Sequence, residues 1–349
     1  MHIFRVFGGE SASIRTIFSV KGALMEDILI LCLRIALEYG VTDIHLDVRA
    51  DDQVEVSMRV RGKMCRVENL GADIRFFRYL LYRADLDVSR ILQPQTGRFE
   101  AVVDGRKLSL RMAIISGYRL ASGVLRILNN HHTLRIDDLT DSPSQRSWMK
   151  HLCTVRDGLV LFAGPTGSGK TTTLYTILNE AENKKIFTLE DPVEVYSERY
   201  VQLQINERQN FGYAEGIKQL MRHDPDIIMI GEIRDDTAAE MAVRCALTGH
   251  LVLSTIHASD CSGTIERMKD LGVSESQLRE VLTGMSCQRL YPGIKKETVC
   301  LYEIMDAQEV TLYFNEHRHS GNFISLRRRI EAAVKEGTIA PEEAAADLP

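Results

Sequence analysis

One stretch constrains this chain more than any other. Gly164-Pro-Thr-Gly-Ser-Gly-Lys-Thr171 satisfies the pattern G-x-x-x-x-G-K-[ST] in full. It follows the continuously apolar run Leu159–Ala163 and opens onto a helical stretch, Thr172–Glu180. A strand, a glycine-rich turn and a helix start, in that order, make a phosphate cradle. Glycines let backbone N–H groups turn inward, and the helix N-terminus adds partial positive charge. Gly164, Pro165, Thr166, Gly167, Ser168, Gly169, Lys170, Thr171 and Thr172 are therefore the expected ATP-phosphate contacts. Lys170 is expected to reach the β- and γ-phosphates, and the Thr171 hydroxyl to ligate magnesium. The bland alternative is a glycine-rich turn with no ligand, and the flanking strand and helix weigh against it.

Further polar clusters end apolar runs in the same half. Ile227-Ile-Met-Ile230 leads into Gly231-Glu232-Ile-Arg234-Asp235, and Gly231 stands where most P-loop proteins place Asp. Glu232 is the expected group to polarise an attacking water or to hold a magnesium-bound water. Glu190-Asp191-Pro192-Val193-Glu194 follows Ile186–Leu189. Pro192 biases Asp191 toward an extended backbone, so Glu190 and Asp191 project from a fixed turn and either is a candidate base or magnesium-water ligand, with an acidic turn as the alternative. His257 ends the run Leu251–Ile256 as a further candidate catalytic residue, although a lone histidine there is more often a packing residue. No cysteine pair near His250 and His257 completes a metal site.

The patterning divides the chain in two. Ile44, Leu46 and Val48 alternate with Asp43, His45 and Asp47, and Val54, Val56, Met58 and Val60 continue the alternation beyond Asp51-Asp52. Phe99, Ala101 and Val103 face Leu108, Leu110 and Met112 across Asp104-Gly105, a hairpin signal. A helix over Ile28–Tyr39, stopped by Gly40, precedes them. This is the pattern of a small antiparallel α+β domain. After about Ser144, continuously apolar strands alternate with helices such as Thr237–Leu247, as in a parallel sheet covered on both faces. The expected divisions are 1–130, a hinge linker 131–143, an α/β domain 144–314 and a polar tail 315–349, with Asn129–Thr133 and Asp137–Ser144 reading as linker. A length of 349 residues accommodates two domains.

Charge and composition narrow the function classes. A net charge of -5 argues against a dedicated, sequence-specific nucleic-acid binder. The longest apolar run, Ile28–Leu33, is far short of a membrane span, and the start of the chain lacks a signal-peptide pattern. Seven cysteines without a CxxC pair read as reduced thiols of a cytoplasmic protein. Membrane contact, on this reading, runs through a partner at the inner face.

Taken together, GPTGSGKTTT, TLEDPVE, DPDIIMIGEIRD and ALTGHLVLSTIHASD resemble, in order and spacing, the type II/type IV secretion ATPase family. They correspond there to the Walker A, aspartate-box, atypical Walker B and histidine-box segments. VTDIHLDV, QPQTGRF and VLRIL look like that family's N-terminal domain, so the resemblance runs from about Met25 to Met305. It implies a RecA-like P-loop ATPase domain hinged to a smaller PAS-like α+β N-terminal domain. It further implies a homo-hexameric motor that uses ATP and magnesium and docks on a polytopic membrane platform protein. Arg98 in QTGRF and Arg111 in LSLRMAI lie where the family's N-terminal arginines reach the nucleotide phosphates, a task suited to the always-charged guanidinium fork. Within the family the chain is similar to the short competence ATPases of Gram-positive bacteria, which drive assembly of a pilus-like fibre for DNA uptake. On this reading it is a short form, expected to lack the long extra N-terminal domain; the sequence shows no tetracysteine insertion and no AIRNLIRE-like retraction motif, and SCQRLYPGIKKETVCLYEIMD runs without interruption. The rival expectations are a pilus-retraction or type II secretion motor, a low-turnover nucleotide-switched scaffold and, more remotely, a small-molecule kinase.

Overall fold

Alternating and continuous apolar runs build two different kinds of sheet. In the computed structural model of the chain, residues 4–7, 13–16, 24–60, 63–91, 93–117, 120–128, 134–194, 196–205, 211–296 and 298–348 are described. They fall into two units, Met1–Asn130 and His131–Pro349. The linker expected at Asn129–Thr133 lies outside the described residues.

The smaller unit contains β1 (Phe4–Phe7), β2 (Ser13–Thr16), α1 (Met25–Glu38), β3 (Asp43–Val48) and β4 (Val54–Val60). It continues with β5 (Lys63–Glu68), α2 (Ile74–Arg83), β6 (Gln95–Val103), β7 (Arg106–Gly117) and β8 (Leu120–Leu128). The strands form one sheet in the order β1-β2-β5-β4-β3-β8-β7-β6. All neighbours are antiparallel except β2 and β5. Ile44, Leu46 and Val48 pair with Met58, Val56 and Val54, and all six are buried. Asp104 and Gly105 have φ of 50° and 78°, the positive pair that a two-residue type I′ hairpin turn demands. Helices α1 and α2 cover one sheet face, placing Ile28, Leu33, Phe76 and Phe77 against Leu46, Met58 and Leu110.

The larger unit begins with α3 (Ile136–Leu139), α4 (Pro143–Leu152), β9 (Gly158–Ala163), α5 (Lys170–Glu180), β10 (Ile186–Glu190) and β11 (Val201–Gln204). Next come α6 (Tyr213–Leu220), β12 (Ile227–Ile233), α7 (Asp236–Leu247), β13 (Leu251–Ile256), α8 (Cys261–Asp270) and α9 (Glu275–Val281). It ends with β14 (Leu282–Pro292), β15 (Thr298–Met305), α10 (Ala307–Glu316), α11 (Leu326–Lys335) and α12 (Pro341–Ala344). The sheet order is β11-β10-β12-β13-β9-β14-β15. All pairs are parallel except β14–β15. One apolar cluster joins this sheet to α7, α8 and α9, and a second joins it to α4 and α5. Strands buried on both faces leave no position for a polar alternate, which is why these runs are continuously apolar.

Two segments that read as linker and tail pack into this unit. Ile136 is fully buried, and its backbone N–H donates to Glu180 Oε1 at 2.6 Å, fastening α3 to the end of α5. Beyond Asn315, the buried Leu326, Ile330, Ala333, Ile339 and Ala344 belong to the same cluster as Tyr291 and Phe314. All seven cysteines carry free thiols. Among the described residues, no helix is long and apolar enough to cross a membrane.

Candidate functional site

Strands β9, β10, β12 and β13 run parallel, so their C-terminal ends share one edge of the sheet, where open α/β sheets bind ligands. The glycine-rich loop leaves β9 there. Gly164, Gly167 and Gly169 have φ of 144°, 80° and 86°, which L side chains rarely adopt, and Gly169 opens α5 from the left-handed region. No side chain caps this helix, whereas Asp235, Asp260 and Asp306 cap α7, α8 and α10. The first N–H groups of α5, on Lys170, Thr171 and Thr172, are thus left to whatever enters the loop. Pro165, Thr166 and Gly167 are exposed at its rim.

Lys170 is the buried cation of the loop. Its ammonium donates to the carbonyls of Gly164 at 2.8 Å and Pro165 at 3.0 Å. Burial lowers its pKa, and the charge of Glu232 only partly opposes that shift. The Ser168 hydroxyl is buried without a hydrogen-bond partner. A desolvated cation, a partnerless hydroxyl and an uncapped helix start around three left-handed glycines all fit a phosphate chain.

Glu232 and His257 converge on the same loop. Ladder pairing between β12 and β13 is interrupted between Ile230 and Ile233, and this irregularity re-aims Glu232 from the strand. The Ser254 and Thr255 hydroxyls hold it by donating to the carbonyls of Ile230 and Gly231, each at 2.7 Å. Glu232 Oε1 lies 2.7 Å from His257 Nε2, and His257 Nδ1 lies 3.1 Å from the Gly164 carbonyl. Glu232 Oε2 accepts from Arg234 at 2.8 Å. Arg234 lies 3.9 Å from Asp191 in turn. The histidine thus bridges the strand-end carboxylate to the first residue of the phosphate loop.

Glu190 stands differently. It is only 3% exposed, and its carboxylate accepts from Tyr175 at 2.6 Å, Thr188 at 2.6 Å and Gln202 at 3.2 Å. A group expected as base or magnesium-water ligand is therefore occupied by three protein donors. A Cβ at Gly231 would sit 3.3 Å from the Leu189 carbonyl, slightly tighter than an ordinary contact, and 3.4 Å from Cα and Cγ of Glu190, at ordinary contact distance. In the smaller unit, Arg98 and Arg111 are direct cross-strand partners on β6 and β7, and Arg126 is opposite Arg111 on β8. Arg126 Nε donates to Asp43 Oδ1 at 2.6 Å, so the row is partly neutralised within the sheet. Sequence reasoning missed Tyr175, Gln202, Ser254 and Thr255. The only visible signal was the Ser-Thr pair inside an apolar run.

The family model described as type II/IV secretion system protein matches residues 20–335. The chain belongs to that family. The competence protein ComGA of Halalkalibacterium halodurans is 34% identical over 82% of this chain and 83% of its own length. ComGA of Bacillus subtilis is 34% identical over 71% of each chain. Among solved structures, the pilus retraction motor PilT with bound ADP matches at 23% identity and a TM-score of 0.72, covering 92% of this chain and 97% of PilT. The ATPase DotB of Legionella pneumophila matches at 20% identity and a TM-score of 0.74, over 93% of this chain and 96% of DotB. These likenesses show a shared fold, and the larger unit is a RecA-like α/β domain.

Proposed function

We propose that this protein is an ATP-hydrolysing motor of the pilus and secretion class, acting as a homo-hexamer to assemble a competence-type fibre for DNA uptake. The observation that carries the catalytic reading is the His257 bridge between Glu232 and the Gly164 carbonyl. It ties the carboxylate suited to act as general base to the loop suited to hold the phosphates. The fibre-assembly reading draws on the likeness to the ComGA proteins and to a type IV pilus assembly ATPase of Acinetobacter baylyi, 36% identical over 74% of this chain.

In this mechanism the loop N–H groups and Lys170 hold the β- and γ-phosphates of ATP. Glu232 takes the proton of the attacking water, and His257 and Arg234 hold its carboxylate in place. Magnesium, when bound against the Thr171 hydroxyl with one of its waters facing Glu232, would neutralise charge developing on the phosphates. Glu190 acts as support, setting the end of β10 beneath Gly231. Arg98 and Arg111 of the smaller, PAS-like domain carry the always-charged guanidinium forks suited to stabilising charge on a γ-phosphate. The motor works in the cytoplasm at the inner face of the membrane, against a polytopic platform protein.

The test is magnesium-dependent ATP hydrolysis as a function of protein concentration, for wild type and Arg98→Ala in parallel. Specific activity should rise steeply with concentration and fall at least tenfold, as a rough scale, in the variant. Flat activity that is indifferent to Arg98 leaves an ATPase but removes the ring and the arginine from the mechanism.

A further inference from the structure

The β14–β15 hairpin presents a buried polar rung to the phosphate loop. Gln288 and Tyr302 are direct cross-strand partners, with exposures of 0% and 1%. Partners placed directly opposite project from the same face of the sheet, so one rung can touch two neighbouring segments. Gln288 Nε2 donates to the Ser168 carbonyl at 2.7 Å. The Tyr302 hydroxyl lies 3.0 Å from Thr173 Oγ1, in the first turn of α5. From the other side, the Tyr302 carbonyl accepts from Gln145 on α4 at 2.9 Å, which holds the rung in place.

The loop is shaped around this rung. Parallel pairing of Cys287 with Ala163 brings Gln288 beside Gly164. A Cβ on Gly164 would come within 2.6 Å of the Gln288 carbonyl oxygen, and one on Gly169 within 3.2 Å of the Gln288 amide nitrogen. The glycines that let the loop turn also make room for this strand. The amide orientation is determined too, because a flipped amide would set its oxygen against the Ser168 carbonyl. In the orientation present, Gln288 Oε1 is buried without a partner. A half-satisfied buried amide is a poor device for stability, which points to a different reason for its presence.

We propose that Gln288, seconded by Tyr302, is a positioning residue for the phosphates of a nucleotide bound in the loop. A trans peptide sets its C=O and N–H in opposite directions. By drawing the Ser168 carbonyl toward β14, Gln288 turns the Gly169 N–H away from β14. Tyr302 fixes the first helical turn relative to that peptide. Without the rung the loop samples other shapes, and only the fraction already in the right one binds. The proposal rests on reading the loop as a nucleotide site.

The experiment measures equilibrium binding of a methylanthraniloyl-labelled ADP and steady-state ATP hydrolysis on the full chain, for wild type, Gln288→Leu, Tyr302→Phe and Lys170→Ala. Affinity should fall about tenfold in Gln288→Leu and about threefold in Tyr302→Phe, the loss expected when a buried acceptor loses its donor. KM for ATP should rise in step, while kcat at saturation stays within about twofold because Glu232 and His257 are untouched. A merely structural role would lower the melting midpoint of the nucleotide-free protein and leave the affinity of the folded molecules unchanged. Wild-type affinity in both folded variants overturns the proposal. Should Gln288→Leu fail to fold, Tyr302→Phe decides, and unchanged affinity there overturns it equally. Loss of binding in Lys170→Ala alone refutes the rung. Retained binding in all three variants refutes the nucleotide site beneath it.

Discussion

Replacing Glu232 with Gln removes one charge and almost no volume, so it separates chemistry from packing. In the native site Oε1 faces His257 Nε2 at 2.7 Å and Oε2 faces Arg234 Nη2 at 2.8 Å. Gln offers one acceptor oxygen and one NH2 group, so one of the two donors must lose its acceptor. A buried charge-assisted bond lost in this way costs about 1.5–3 kcal/mol. The Arg234 side chain is 62% exposed, and turning the amide toward it lets water substitute, which reduces the cost to about 1 kcal/mol or less. For a domain of this size that lowers Tm by about 2–4 °C. The catalytic effect is on another scale. Loss of a general base reduces turnover by about 10²–10⁴-fold, or about 2.7–5.5 kcal/mol of barrier. The assay is magnesium-dependent phosphate release at saturating ATP, with binding of labelled ATP measured alongside. Intact binding, a small drop in Tm and at least hundredfold slower turnover, as a rough floor, is the expected result. Turnover within about threefold of wild type, with affinity unchanged, would refute Glu232 as the base.

Two further substitutions test the local physics. Gly231→Asp restores the residue common in other P-loop proteins, but its Cβ would crowd the Leu189 carbonyl at 3.3 Å, and its charge would lie beside the Glu190 carboxylate. It should destabilise the chain by about 2 kcal/mol, read as a lower urea midpoint, and it should not raise turnover. Asp73 caps α2, accepting from the Arg75 N–H at 2.8 Å. The side-chain hydrogen bond from Arg75 holds the Asp73 pKa below its ordinary value despite the opposing effect of burial. A carboxyl whose pKa is depressed on folding stabilises above its unfolded pKa and loses that contribution as pH falls through the folded one. Asp73→Ala should therefore cost about 1 kcal/mol near pH 7. The gap between the urea midpoints of wild type and variant should narrow on acidification below about pH 4. A gap that widens on acidification would contradict the sign.

What was legible in the sequence was what short-range chemistry decides. The loop from Gly164 to Thr171 could be read because its positive φ values require glycine at 164, 167 and 169, and because a strand and a helix flank it. The Asp104-Gly105 hairpin was legible for the same reason, since few residue pairs tolerate two positive φ angles in succession. The α11 segment carried a usable signal that went unread. Leu326, Ile330 and Ala333 fall on one helical face and are buried, but the run Arg327–Arg329 between them made the segment look like a solvated tail. Glu190 was a harder case. Its type and strand-end position suggested catalysis, and only Tyr175 on α5 and Gln202 on β11 show that its oxygens are already occupied. Gln288 was invisible for a related reason, because the carbonyl it holds lies 120 residues earlier in the chain. The division has a physical basis. Groups that touch phosphate must sit on a turn whose backbone demands particular residues, so they leave a local signature. The polar side chains that orient those groups need only arrive at the right point in space, and any element can deliver them. Two chains with the same phosphate loop can therefore differ in affinity through residues such as Gln288 and Tyr302 that no local pattern would reveal.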